Sequence, residues 1–168
     1  MSDAAANPFL AHPGDLEQIK NHWRAVSDGA TRMISLQGPM GSGKRALMGV
    51  VCREAQSEDA DALLWRVQLH DEEQGMQSLM RIYAGLFQAL HRQPVLRGKV
   101  EMALNSLLPT QPKRVQAWYQ AFIEGLKKGA PQAGKTEFQV ILPRDNPLLG
   151  LIEVTVAIAG RFPVLLDL

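Results

Sequence analysis

The ten residues GPMGSGKRAL, Gly38 to Leu47, carry the most chemically suggestive spacing in this 168-residue chain. Gly38, Gly43 and Lys44 make the pattern Gly-x-x-x-x-Gly-Lys, with a further glycine at 41. Glycines in such a bend let successive backbone N–H groups point inward, because no Cβ blocks the approach or the positive-φ turns. A polyphosphate is the ligand for a ring of amides of this kind. Lys44 would close a mobile positive charge over it, and the unpaired amides at the start of the following helix would face the same anion. The candidate binding residues are therefore Gly38, Pro39, Met40, Gly41, Ser42, Gly43, Lys44, Arg45 and Ala46. Arg45 stands where a magnesium-binding Ser or Thr hydroxyl is expected, and Ser42 falls within the cradle rather than on the metal side. As a solvated helix residue or as an added phosphate contact, Arg45 is equally well read.

The elements that must position this loop are a strand before it and a helix after it. Arg32-Met33-Ile34-Ser35-Leu36-Gln37 alternates apolar and polar residues, and Leu47, Val50 and Val51 fall at helical spacing. By accident, two glycines and a lysine at this spacing arise in roughly one chain of this length in twenty. The flanks are what raise the pattern above an ordinary glycine-rich turn.

Phosphate chemistry of this type also uses a carboxylate at the end of a neighbouring buried strand, which holds Mg²⁺ through water. The run Pro163-Val164-Leu165-Leu166-Asp167-Leu168 offers Asp167 as that catalytic and metal-binding group. The plainer reading of Asp167 is a polar residue that ends a strand at the surface. The sequence stops one residue later, inside an apolar run, so a fragment is expected.

Between these points the hydrophobic periodicity alternates strands and helices. Leu16, Ile19, Trp23 and Val26 recur at helical spacing ahead of the loop, and Ala62 to Leu69 reads as a mostly buried strand. Met76, Leu79, Met80, Tyr83, Leu86, Phe87 and Leu90 predict the firmest helix of the chain, its Met and aromatic residues belonging to the core. Two further helices follow, one on Val100 to Leu108 and one on Val115 to Leu126, with Pro109 and Pro112 at the turn between them. Phe138 to Leu142 reads as a short strand. Residues 147–160 fit either period, with Leu148, Leu149, Ile152 and Val156 on a helical face. A parallel neighbour strand needs a crossover, and helix is chosen for that reason. The result is an α/β fold: a parallel-sheet αβα sandwich, incomplete, with a helical insertion.

Composition sets the class. At 46% apolar and 21% charged, with net charge +1, the chain suits one globular domain and shows no overall bias towards nucleic acid or membrane. Cys52 is the only cysteine, so no disulfide forms within the chain and a cytoplasmic setting is expected. No secretory signal opens the sequence, and no apolar run approaches the ~20 residues of a membrane span. Residues 92–135 hold eight basic side chains (Arg92, Arg97, Lys99, Lys113, Arg114, Lys127, Lys128 and Lys135) against Glu101 and Glu124. Trp118 and Tyr119 lie among them but on the apolar helix face, so they are read as core and nucleic acid is disfavoured as a partner. His70, Asp71, Glu72 and Glu73 are read as a solvated turn and helix start rather than a metal cluster.

These features resemble the ATPase domain of the signal-transduction ATPases with numerous domains, the STAND group within the AAA+ P-loop NTPases. Their opening Phe-x-Gly-Arg-x-x-Glu-Leu frame is similar to Phe9-Leu10-Ala11-His12-Pro13-Gly14-Asp15-Leu16, which departs from it at Ala11, His12 and Asp15. LLWRVQLHDEEQG resembles the second strand and acidic turn, and PVLLDL resembles the Walker B strand. The resemblance spans most of residues 7–168 as one partial P-loop domain, with the basic helical insertion at 92–135 carrying no family mark. It implies ATP or ADP as cofactor with Mg²⁺, the latter placed in question by Arg45, and His12 near the adenine. In the family a second acidic residue follows the Walker B aspartate; here Leu168 takes that place. Sensor residues, an arginine finger and C-terminal domains that would bind protein partners are not in this sequence.

The expected function is an ATP-binding regulatory domain of a larger cytoplasmic signalling protein, with ATP hydrolysis slow or absent. The alternative is a degenerate P-loop scaffold that binds protein or nucleic acid through its basic helices without nucleotide.

Overall fold

The computed structural model describes residues 13–27, 32–33, 37, 43–67, 75–128 and 146–167. The chain divides into two compact units, 1–62 and 63–168.

The described part of the first unit consists of helices α1 (Pro13–Ser27) and α2 (Lys44–Glu58). Ile19 and Trp23, one turn apart on α1, are buried, and so are Leu47, Val51 and Ala55, spaced by four along α2. Each large apolar side chain so buried contributes about 1.5–3 kcal/mol. Two ion pairs fix the direction of the helices. Lys20 Nζ reaches Glu54 Oε2 at 3.1 Å and, one turn further along both helices, Arg24 reaches Glu58 at 3.7 Å. α1 and α2 therefore run the same way, and Ser27 and Lys44 lie towards opposite ends of the pair. The centre of the expected strand, Ile34 to Leu36, lies outside the described residues. Met33 beside it is 98% exposed, so its side chain adds nothing to the packing.

The second unit is mostly helical around a two-stranded parallel sheet. Strand β1 (Leu63–Arg66) pairs with β2 (Val164–Asp167) in the register Leu63↔Val164, Leu64↔Leu165, Trp65↔Leu166 and Arg66↔Asp167. The Val67 N–H donates to the Asp167 carbonyl at 2.8 Å and carries the ladder one residue further. Leu63, Trp65 and Val67 alternate onto one buried face, as a period of two requires. Helix α3 (Met76–Arg92) lies against it, and Gly85 is what allows the approach. A Cβ there would come within 2.9 Å of Val67 Cγ2 and 3.1 Å of Trp65 Nε1. The indole N–H of Trp65 then donates to the Ile82 carbonyl at 3.0 Å.

The other helices described in the unit are α4 (Pro94–Leu107), α5 (Lys113–Lys127) and α6 (Pro147–Ala159), with a 3₁₀ turn, Leu108–Thr110, between α4 and α5. The helices read as an insertion are not peripheral. Leu96, Val100 and Leu104 of α4 and Tyr119, Phe122, Ile123 and Leu126 of α5 share one core with Leu63, Trp65, Leu86 and Leu90. Phe87 and Phe122 meet with ring centroids 4.8 Å apart, and Gly125 leaves the space that the Phe87 ring fills. Tyr83 donates its hydroxyl to the Pro147 carbonyl at 3.2 Å, joining α3 to the first residue of α6, and burial pushes its pKa above the ordinary tyrosine value.

α6 is helical, as its crossover position requires, but it buries a different face from the one its spacing suggested. Leu151, Val154 and Ile158 face the core, whereas Leu148, Leu149, Ile152 and Val156 are exposed. A helix whose only charged residue is Glu153 has no polar side to orient it, so packing rather than pattern selects the buried face. Among the described residues no helix is long and apolar enough to cross a membrane.

Candidate functional site

Of the predicted phosphate-binding residues, Gly38, Pro39, Met40, Gly41 and Ser42 lie outside the described residues, while Gly43, Lys44, Arg45 and Ala46 form the start of α2. Gly43 occupies the left-handed region, with φ 82° and ψ 6°. A side chain in that conformation costs roughly 1–2 kcal/mol, so the position selects glycine. The Gly43 carbonyl accepts the first helical hydrogen bond, from Leu47 N at 2.9 Å. No side chain caps the amides above it, and no acidic residue stands in the first turn. Lys44 and Arg45 are there instead, one half-buried and the other exposed.

That charge order opposes the helix dipole. The amino end of a helix carries about half a positive charge and favours Asp or Glu by ~0.3–1 kcal/mol each. The other described helix starts vary: α6 is capped by Asn146, whose Oδ1 accepts from Leu149 N at 3.1 Å.

Asp167 is the last residue of β2, at the carboxyl end of a parallel pair, the edge at which open α/β sheets bind ligands. It belongs to the second unit, and Gly43 to Ala46 belong to the first. Its carboxylate is engaged: Arg66 Nε donates to Asp167 Oδ2 at 2.7 Å, across the register pair that ends the sheet. The Asp167 side chain retains 23% exposure and that of Arg66 48%. Sequence reasoning passed over Arg66. The available signal was a lone cation inside the apolar run Leu63-Leu64-Trp65-Arg66-Val67, a place where a charge is seldom set without a partner.

In the first unit Arg45 stands where a metal-binding hydroxyl was expected, and in the second the carboxylate expected to hold a metal, that of Asp167, holds a guanidinium. Among the described residues no group of three or more His, Cys, Asp or Glu side chains could hold a metal. His12 and the His70 to Glu73 segment lie outside the described residues.

The aromatic residues of the basic region are core. Trp118 and Tyr119 are 4% and 3% exposed, too buried to stack on nucleobases, and Arg114 lies over the Trp118 ring, 5.0 Å from its centroid. Nearby, Arg97 Nη1 lies 3.0 Å from His91 Nδ1, joining the end of α3 to the first turn of α4. Because the guanidinium can only donate, Nδ1 accepts and the neutral ring carries its proton on Nε2. Burial lowers the His91 pKa, the Arg97 charge lowers it further, and Glu101 opposes both.

No family model, no curated protein and no solved structure matches this chain.

Proposed function

We propose that this chain binds ATP or ADP through the glycine loop ending at Lys44, as a regulatory module whose conformation follows the bound nucleotide and whose hydrolysis is slow or absent. The observation that carries the reading is Gly43. It is a left-handed glycine directly before a helix that begins Lys44-Arg45-Ala46, with no cap and no acidic residue. Backbone amides opened by a positive φ, the helix amino end and two cations make one anion-binding arrangement. The parallel course of α1 and α2 supports it, since a strand running back between two such helices would set a glycine loop at the head of the second. Slow hydrolysis follows from Arg45 standing in place of the metal-binding hydroxyl, because phosphoryl transfer depends on charge placed around the leaving and attacking oxygens. Cytoplasmic residence and protein partners belong to the same proposal.

Titration calorimetry of the chain with ATP, for the wild type and Lys44→Ala, tests it. Saturable binding that the substitution weakens supports the reading. Wild-type chain that takes up no nucleotide sinks it and leaves the scaffold alternative.

A further inference from the structure

We infer that the joint between α3 and α4 is a proton-operated latch, in which the neutral His91 ring holds Arg97 across a one-residue hinge and the protonated ring lets it go. Every group involved belongs to the second unit, so the inference goes beyond the nucleotide reading and does not depend on it. Gln93 is the hinge: it closes α3 and opens α4 with φ −125° and ψ 74°. Its N–H donates to the Leu90 carbonyl at 3.1 Å and its carbonyl accepts from Arg97 N at 2.8 Å, but its side chain does not cap α4. The 3.0 Å contact of Arg97 Nη1 with His91 Nδ1 ties the two helices across it.

The tie depends on one lone pair. Arg97 stays charged at every pH at which the protein is folded and can only donate, so Nδ1 must accept. A proton on Nδ1 removes that acceptor, turns an N–H towards the guanidinium and leaves positive charge on both sides. The other ring nitrogen brings no compensation, because Nε2 is buried with no hydrogen-bond partner among the described residues. The charges that act on the ring come from α4. Arg97 resists protonation, and Glu101, whose Oε1 lies 3.8 Å from Arg97 Nε, favours it. On α3 itself Arg92 is exposed, and among the described residues α5 and α6 add no charge that moves the ring. The carboxyl end of α3 favours a cation as well. Burial, the largest influence, and Arg97 outweigh these and hold the ring below the ordinary histidine value. The fold therefore retains the neutral form. Its stability is complete above the ordinary histidine pKa and is lost as the pH falls from there through the lower folded value. Leu96 and Val100 are packed in the core, so the release is confined to the last turn of α3 and the first of α4.

The experiment follows the His91 ring and the Val95 to Gly98 amides by NMR of the full chain from about pH 7.5 to about pH 5, in the wild type, His91→Gln and Arg97→Met. Expected are a wild-type ring that titrates below about 6.5, the ordinary value, and amides that shift with the same midpoint. His91→Gln, whose side-chain oxygen accepts from Arg97 at any pH, should abolish the amide shifts. Arg97→Met should move the midpoint of the ring upwards, a response that a merely structural contact would not give. Circular dichroism verifies folding, and the wild type with His91→Gln decides the matter if Arg97→Met does not fold. The inference is overturned by a wild-type ring that titrates at or above the ordinary value, by amides that ignore its titration, by a His91→Gln chain with the wild-type pH profile, or by a folded Arg97→Met chain whose ring keeps the wild-type midpoint.

Discussion

Two helices of this protein begin with the same pair of residues. α2 opens Lys44-Arg45 and α5 opens Lys113-Arg114, and both lack an acidic residue and a side-chain cap in the first turn. By charge alone the two starts would be equivalent anion sites. They differ in the residue before the helix and in what lies one turn after it. Ahead of α2 stands Gly43 with φ 82°, whereas ahead of α5 stands Pro112 with φ −56° and ψ 147°, which contributes no N–H at all. Four residues after Arg45 is Gly49, with no side chain to cover. Four residues after Arg114 is Trp118, and the guanidinium lies on its ring at 5.0 Å. The entrance of α5 is further tied by Gln116 Nε2, which donates to the Gln111 carbonyl at 2.8 Å. The comparison teaches that a basic helix start is not a site in itself. At α5 the cation covers an aromatic ring, and at α2 the backbone is opened by the left-handed glycine.

The largest test strikes the α5 side. Trp118→Ala removes a side chain that is only 4% exposed and should cost about 3–5 kcal/mol of stability, read as the midpoint shift in denaturant unfolding. A loss below about 1 kcal/mol would mean that Arg114 rests on a loosely held ring and that the contrast between α5 and α2 is small.

The next test separates the two lysines. Lys44→Ala should weaken ATP binding about a hundredfold, ~2.7 kcal/mol, while Lys113→Ala leaves it within about twofold. Calorimetric titration of both variants decides it, and equal losses would erase the distinction between the two helix starts.

Backbone conformation supplies the third. Gly43→Ala forces a side chain into φ 82° and should destabilise the first unit by about 1–2 kcal/mol. Pro112→Ala keeps an ordinary φ and should cost no more than about 1 kcal/mol through the freer unfolded chain. Hydrogen exchange at the α2 and α5 amides reads each change locally, and a Gly43→Ala chain as well protected as the wild type would show that the left-handed turn is not required.

The same contrast explains what could be read from the residues in advance. Helices α3 and α5 were legible because their apolar residues recur at 3.6-residue spacing against a polar background. The core roles of Tyr83, Phe87, Trp118 and Tyr119 follow from that period alone. β1 and β2 were legible as strands of a parallel sheet, whereas their pairing with each other was not. The buried face of α6 was not, because Leu148, Leu149, Leu151, Ile152, Val154, Val156 and Ile158 surround the helix with apolar surface and leave the choice to its neighbours. At the site, glycine at 43 was legible as a positive-φ position from local sequence. The partner of Asp167 was not, since Arg66 lies 101 residues away and only the strand register brings the two together. Contacts set by register are long-range facts that no local pattern encodes.

The smallest expected effect sharpens the charge argument itself. Arg45→Glu places an acidic residue in the first turn of α2 and removes a cation from the positive end of the helix dipole, a change of about 0.3–1 kcal/mol in favour of the helix without nucleotide. Arg114→Glu makes the same electrostatic change at α5 but gives up the stack on Trp118, itself about 0.5–1 kcal/mol, so the two effects should cancel. Exchange protection should therefore rise along α2 in Arg45→Glu and stay level along α5 in Arg114→Glu. Adding ATP should reverse the order at α2 only, because a carboxylate beside the loop would repel the phosphates that the wild-type arginine faces in the proposed complex. Equal gains in both helices would show that the Trp118 stack contributes nothing, and an Arg45→Glu chain with undiminished ATP affinity would place Arg45 in solvent rather than beside the phosphate.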